Sequence, residues 1–104
     1  QINFFNTLTL NKVRENHENL YLNMEDLKKI EKEKLITLGC HTHDHLCFSY
    51  FDKEIIEKQI SRCKEIMEEK LKINVEHFAY PYGSKKDINF FEHNILEKLK
   101  FNHG

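Results

Sequence analysis

Three of the seven histidines, His41, His43 and His45, fall within five positions, in the stretch Gly39-Cys40-His41-Thr42-His43-Asp44-His45. Near neutral pH an uncharged imidazole nitrogen is a good ligand for a borderline ion such as Zn²⁺, and several donors must converge to displace competing water. If the backbone stays extended here, alternation puts all three rings on one face. If it turns helical after Gly39, His41 and His45 lie one turn apart and His43 points elsewhere. Both geometries keep His41 and His45 together, so the stretch reads as a metal site. The competing reading is a set of surface loop histidines.

A second unusual stretch is Tyr80-Pro81-Tyr82-Gly83. Any tight turn favours Pro and Gly, so a plain connector with Tyr80 or Tyr82 packed inside is one reading. The functional reading is a rigid turn that aims a backbone N–H at a substrate oxygen and stabilises developing charge. The cysteines Cys40, Cys47 and Cys63 are odd in number and show no Cys-x-x-Cys spacing, so no disulfide framework is expected. Cys63 falls on an apolar helix stripe as a small buried hydrophobe. Cys40 and Cys47 flank the histidines as secondary ligand candidates, although catalytic zinc more often takes His and carboxylate donors.

The elements that must carry these residues alternate. Residues 2–8, 35–38 and 75–80 are rich in β-branched and aromatic side chains and read as strands, the last ending at Pro81. Residues 9–22 show no clean period and read as a connection. Asn23 is a good N-cap, with Glu25 and Asp26 placing negative charge at the helix start and Met24, Leu27 and Ile30 facing inward. Ser49 with Asp52 reads as a cap for a second helix, in which Ile56, Ile60, Cys63, Met67 and Leu71 recur at helical spacing. Glu54 with Lys58 and Lys64 with Glu68 are spaced for ion pairs on its solvated face. Asp87 can cap a third helix with Ile88, Phe91, Ile95 and Leu99 inside, and residues 101–104 can open another strand.

This order predicts an α/β fold with about three parallel strands and three helices. In such folds ligands gather at the C-terminal ends of strands, where both unusual stretches fall. A length of 104 residues allows one domain. Lys and Arg number 16 against 17 Asp and Glu, which gives no electrostatic reason to expect nucleic acid or an anionic membrane. No apolar run approaches the ~20 residues of a membrane span, and no basic-then-apolar signal segment opens the chain. A neutral small molecule or glycan is the expected partner, and the oligomeric state is left open.

Taken together, Leu38-Gly39-Cys40-His41-Thr42-His43-Asp44-His45 and Phe78-Ala79-Tyr80-Pro81-Tyr82-Gly83 resemble the polysaccharide deacetylase family, the NodB-homology domain or carbohydrate esterase family 4. The first stretch is similar to its histidine signature, which follows a strand end. The second is similar to the form found in exopolysaccharide deacetylases acting on poly-N-acetylglucosamine. The resemblance runs over most of residues 2–101. It implies His41 and His45 as metal ligands, Thr42 as support for the first histidine, and Pro81, Tyr82 and Gly83 at the substrate, with the Tyr82 backbone N–H holding the oxyanion. It implies Zn²⁺, or another divalent ion such as Co²⁺ or Ni²⁺, and hydrolytic removal of acetyl groups from an N-acetylated oligo- or polysaccharide. In that reaction the ion activates water and an aspartate takes the proton. The family is often extracytoplasmic or at the cell surface.

The sequence also departs from the family pattern. Nothing matches the Thr-Phe-Asp-Asp-Gly-like motif that supplies the base and the carboxylate ligand, and Ala79 stands where many relatives carry Arg. Motifs with a Trp-lined wall and a Leu-His pair are also unmatched, and the chain has no Trp. The expectation is therefore a partial NodB-like domain over residues 1–104, a fragment of a distorted (β/α)7 barrel, with the base and third ligand upstream of Gln1. A complete barrel of this kind needs on the order of 200 residues. The competing class is a non-catalytic or structural zinc module of α/β type, in which Cys40, Cys47 and the histidines close a four-ligand site. A small α/β domain without metal is the third.

Overall fold

The computed structural model describes residues 21–88 and 90–102, so the strand expected at residues 2–8 lies outside them, as do residues 9–20 of the connection. Helix α1, Met24–Ile30, starts where the sequence places it. The Asn23 side chain accepts the Asp26 N–H at 2.9 Å, and Asp26 accepts the Asn23 N–H at 3.2 Å. This reciprocal box satisfies two backbone donors that a helix start otherwise leaves open. Helix α2, Lys53–Leu71, is the longest, and helix α3 spans Phe90–Lys98.

The start of α2 differs from expectation. Ser49 does not cap α2: it lies in the 3₁₀ turn Phe48–Tyr50, and Asp52 takes the N-cap position without a side-chain cap bond. Phe48 is driven into the core, and that insertion forces the chain to turn once before α2 can begin. Asp87 lies three positions before Phe90, where α3 begins, and its carboxylate accepts from Ser84 and Cys47.

The larger correction concerns the sheet. The α/β partial barrel with about three parallel strands is overturned: the described residues form helices and no strand, with an isolated parallel bridge between Cys40 and Phe78. Cys40 N–H donates to His77 O and Ala79 N–H to Cys40 O, both at 2.8 Å. On the opposite edge of the second segment, Asn102 N–H donates to Glu76 O at 2.8 Å. A run patterned as a buried strand needs backbone partners along its length and cover on both faces. Residues 35–38 find neither among the described residues: Leu35 is wholly exposed, and Ile36 N–H closes a turn onto Glu33 O.

Gly39 sits where the two segments approach most closely. A Cβ there would lie 3.0 Å from His77 O and 3.3 Å from the His77 carbonyl carbon, a tight approach that the His77 backbone could accept only by giving way slightly.

The core lies between α2, α3 and the bridged segments. Ile56 and Ile60 on α2 meet Ile95 and Leu96 on α3, with Cys40, Phe48, Val75, Phe78 and Phe101 completing the cluster. Phe78 sets its ring edge against Phe101 and Tyr80 at centroid distances of 5.6 and 5.2 Å. Lys64 ties α2 to the end of α3, donating to Leu99 O at 2.7 Å while lying 4.4 Å above the Phe101 ring. It satisfies a carbonyl that the last helical turn leaves without a partner. The expected Lys64–Glu68 pair forms at 3.8 Å.

Helix α2 is the shared wall of core and site, so its packing sets the stability of both. Ile60→Ala removes a fully buried side chain and is expected to cost about 2–5 kcal/mol in urea unfolding. Glu57→Ala, which breaks only the exposed pair with Lys98, should cost under about 1 kcal/mol in the same experiment.

Candidate functional site

The site grows out of the bridge. Cys40 turns its side chain into the core, and His41, the next residue along an extended backbone, faces solvent. Its Nδ1–H donates to Ala79 O at 2.8 Å. A carbonyl only accepts, so the proton of the neutral ring is on Nδ1 and the Nε2 lone pair is left available. Thr42 then breaks the extended run, with φ of 66°, and His45 repeats the left-handed backbone with φ of 56°. Such residues cost of order 1–3 kcal/mol each and persist only where the surroundings hold them.

The two turns fold residues 41–45 back on themselves, as neither a strand nor a helix, and bring His45 to His41. The ring centroids are 4.7 Å apart in an edge-on arrangement. Tyr82 closes the group from the second stretch, its ring 5.1 Å from that of His45. Tyr82 also has a left-handed φ, 67°, and is followed by Gly83 at 53°. Pro81 is buried and anchors this turn. Tyr80, beside it, packs edge-on against Phe48 and Phe78. Burial raises its phenol above the ordinary range, and the buried Glu92 adds to the effect.

His43 goes elsewhere. Arg62 on α2 donates from Nε to His43 Nε2 at 3.2 Å, which occupies that nitrogen's lone pair. Asp44 is turned to Gln59, with two contacts of 2.8 Å. The Thr42 hydroxyl is buried with no hydrogen-bond partner among the described residues, so it does not give His41 the support expected of it.

The two flanking cysteines point apart. Cys40 lies 3.7 Å from the Met67 sulfur inside the core, and its thiol is held well above its ordinary value, first by a hydrogen bond with Cys63 and then by burial. Cys47 lies 3.3 Å from Asp87 Oδ1 and 3.2 Å from Ser49 Oγ. They do not close a shared site with the histidines.

The donor set suits a borderline divalent ion as two neutral imidazoles, one with its tautomer fixed by a backbone carbonyl. Among the described residues no third His, Cys, Asp or Glu joins them. An open groove of about 360 Å³ runs beside His41, bordered by Gly39, His77 and Ala79.

Sequence reading had no signal for Gln59 and Arg62, which sit among charged residues on α2 and reach a loop 15 and 19 positions away. It also missed that Asp87 joins the two loops through Cys47, 40 positions distant.

The model of one family, polysaccharide deacetylase, matches residues 3–102. No curated protein and no solved structure gives a match.

The loop-to-loop contact yields a pH prediction. The Ser84 hydroxyl, and after it the Cys47 thiol, hold the Asp87 carboxyl below its ordinary 3.8. A depressed carboxyl favours the folded state above the unfolded value, and that contribution is lost as pH falls through the folded one. Ser84→Ala is expected to return Asp87 upward toward 3.8, seen as a rightward shift of its carboxyl carbon titration by NMR. An unmoved curve would show that the hydroxyl has no such effect.

Proposed function

The chain belongs to the polysaccharide deacetylase family, and on that premise we propose that it is part of a metal-dependent hydrolase that removes acetyl groups from N-acetylglucosamine polymers. A carbohydrate substrate and hydrolytic deacetylation follow from membership in the family. The finer substrate rests on Phe78-Ala79-Tyr80-Pro81-Tyr82-Gly83, whose sequence is similar to the poly-N-acetylglucosamine branch.

The observation that carries the reading is the His41–His45–Tyr82 group, drawn from both unusual stretches and joined at centroid distances of 4.7 and 5.1 Å. In this reading His41 and His45 hold a divalent ion, Zn²⁺ or alternatively Co²⁺ or Ni²⁺. When bound, such an ion supplies Lewis acidity to an amide carbonyl and lowers the pKa of water. His41 keeps its proton on Nδ1, held by Ala79 O, so Nε2 remains a donor without loss of a proton from the ring. Pro81 and Gly83 fix the turn that carries Tyr82, whose exposed ring offers a flat apolar face for a sugar beside the histidines. The Tyr82 backbone N–H is assigned the oxyanion.

A cysteine-closed structural zinc site lacks support, since Cys40 and Cys47 face different surroundings. In the full-length protein supplied with Zn²⁺, acetate release from chitooligosaccharides should fall by more than about 100-fold in His41→Ala and in His45→Ala, beyond the ~10–100-fold typical of outer partners. Zn²⁺ affinity should collapse with it. A Cys40→Ser/Cys47→Ser variant should keep its Zn²⁺. Zinc binding lost in that variant but retained in the two histidine variants would overturn the assignment. Acetate release from acetylated xylan and none from chitooligosaccharides would overturn the finer substrate.

A further inference from the structure

We infer that Gln59, on α2, is a positioning residue for the histidine pair: its side-chain amide grips Asp44 at two points and so sets where His45 stands relative to His41. The inference rests on the reading of these histidines as ligands and extends it to an element that contributes none of them.

Asp44 N–H donates to Gln59 Oε1 and Gln59 Nε2–H donates to Asp44 Oδ2, both at 2.8 Å. The acceptor end and the donor end of one amide are thus used on a single residue, which fixes the orientation of the amide group. The second contact is charge-assisted. Gln59 adjoins the fully buried Ile60 and lies three positions after the equally buried Ile56, so the grip comes from the best-anchored part of the helix. Arg62, three positions further on the same face, holds His43 at 3.2 Å. Residues 43 and 44 are therefore both fastened to α2.

The consequence falls on His45. It follows Asp44 directly and has φ of 56°, a backbone state that persists only where the surroundings enforce it. Once Asp44 is released, the chain at His45 can return to the right-handed or extended region. That change swings its Cα–Cβ bond and carries the ring away from the 4.7 Å contact with His41. His41 is tied independently, through Ala79 O and the Cys40 bridge. Loss of Gln59 should therefore displace one imidazole and leave the other in place.

The test uses the full-length protein and Zn²⁺ alone, in competition with a chromophoric chelator. Gln59→Glu sets a second carboxylate against that of Asp44. Combining it with Asp44→Asn restores both contacts: the substituted carboxylate still accepts from the backbone N–H, and the side-chain contact re-forms with donor and acceptor exchanged, the new amide donating to it. Zn²⁺ affinity should fall about 10–100-fold in Gln59→Glu and return in the double variant, as for partners that orient a ligand. Imidazole NMR of the metal-free protein reads the same effect without metal: His45 signals should move or broaden in Gln59→Glu, His41 signals should stay, and the double variant should recover the wild-type pattern. Circular dichroism melting checks that each variant is folded. Wild-type affinity in folded Gln59→Glu, or a double variant no better than the single one, would overturn the inference. If the wild-type protein takes up no Zn²⁺, the ligand reading falls by itself, and the imidazole signals still decide whether Gln59 positions His45.

Discussion

The two backbone hydrogen bonds of Cys40 are the constraint on which the rest depends. They join segments 37 to 39 positions apart in the chain, at 2.8 Å each, and no ladder among the described residues extends them. Two such bonds are worth only about 0.5–1.5 kcal/mol apiece net of water. They hold because the residues at the bridge, Cys40 and Phe78, are both buried in the same apolar cluster as Ile56, Ile60 and Ile95. Burial supplies the energy, and the hydrogen bonds supply the register. Gly39 eases that register, since a Cβ there would press on the His77 carbonyl.

From this point the polypeptide divides its faces residue by residue. Cys40 is buried and His41 exposed, as extended backbone requires, while Thr42 is buried and His43 exposed beyond the point where Thr42 leaves the extended region. Left alone, the alternation would spread the three histidines along one side. The left-handed residues at Thr42 and His45 interrupt it and bring the first and third rings together. A β-branched residue such as Thr rarely adopts this conformation, so its presence marks a turn held from outside. The bridge segment and Ala79 hold one side, and α2 holds the other through Arg62 and Gln59. The geometry of the pair is thus a product of tertiary contacts, with little supplied by local propensity.

This explains what was legible beforehand. The helices were, because the apolar stripe of α2 and the Asn23 cap of α1 are local patterns that the chain reads within a few residues. The proximity of His41 and His45 was legible too, since both the extended and the helical readings shared it. The strands were not: residues 35–38 carry a strand's composition, but a strand exists only by pairing, and composition does not say whether a partner is present. The start of α2 was misplaced for a related reason: Ser49 and Asp52 are good capping residues by type, yet Ser49 lies in a 3₁₀ turn and Asp52 makes no side-chain cap bond. Gln59 had no sequence signal, because an amide on a charged helix face is ordinary until its partner is known.

The cysteines show the same dependence on surroundings from the opposite direction. By position Cys40 and Cys47 flank the histidines and invite a reading as ligands, but Cys47 lies against Asp87, and Cys40, together with Cys63, meets the Met67 sulfur at 3.7 and 3.9 Å inside the protein. Polarizable sulfur atoms adapt to irregular gaps, and here they fill the space between α2 and the bridge directly beneath the histidine turn. That layer keeps the turn close to α2 without placing a competing soft donor among the imidazoles. Placement of the Cys40 sulfur in the core and the His41 ring on the surface follows from the single alternation at residues 40 and 41. The bridge that fixes this alternation therefore also decides which side chains the site presents.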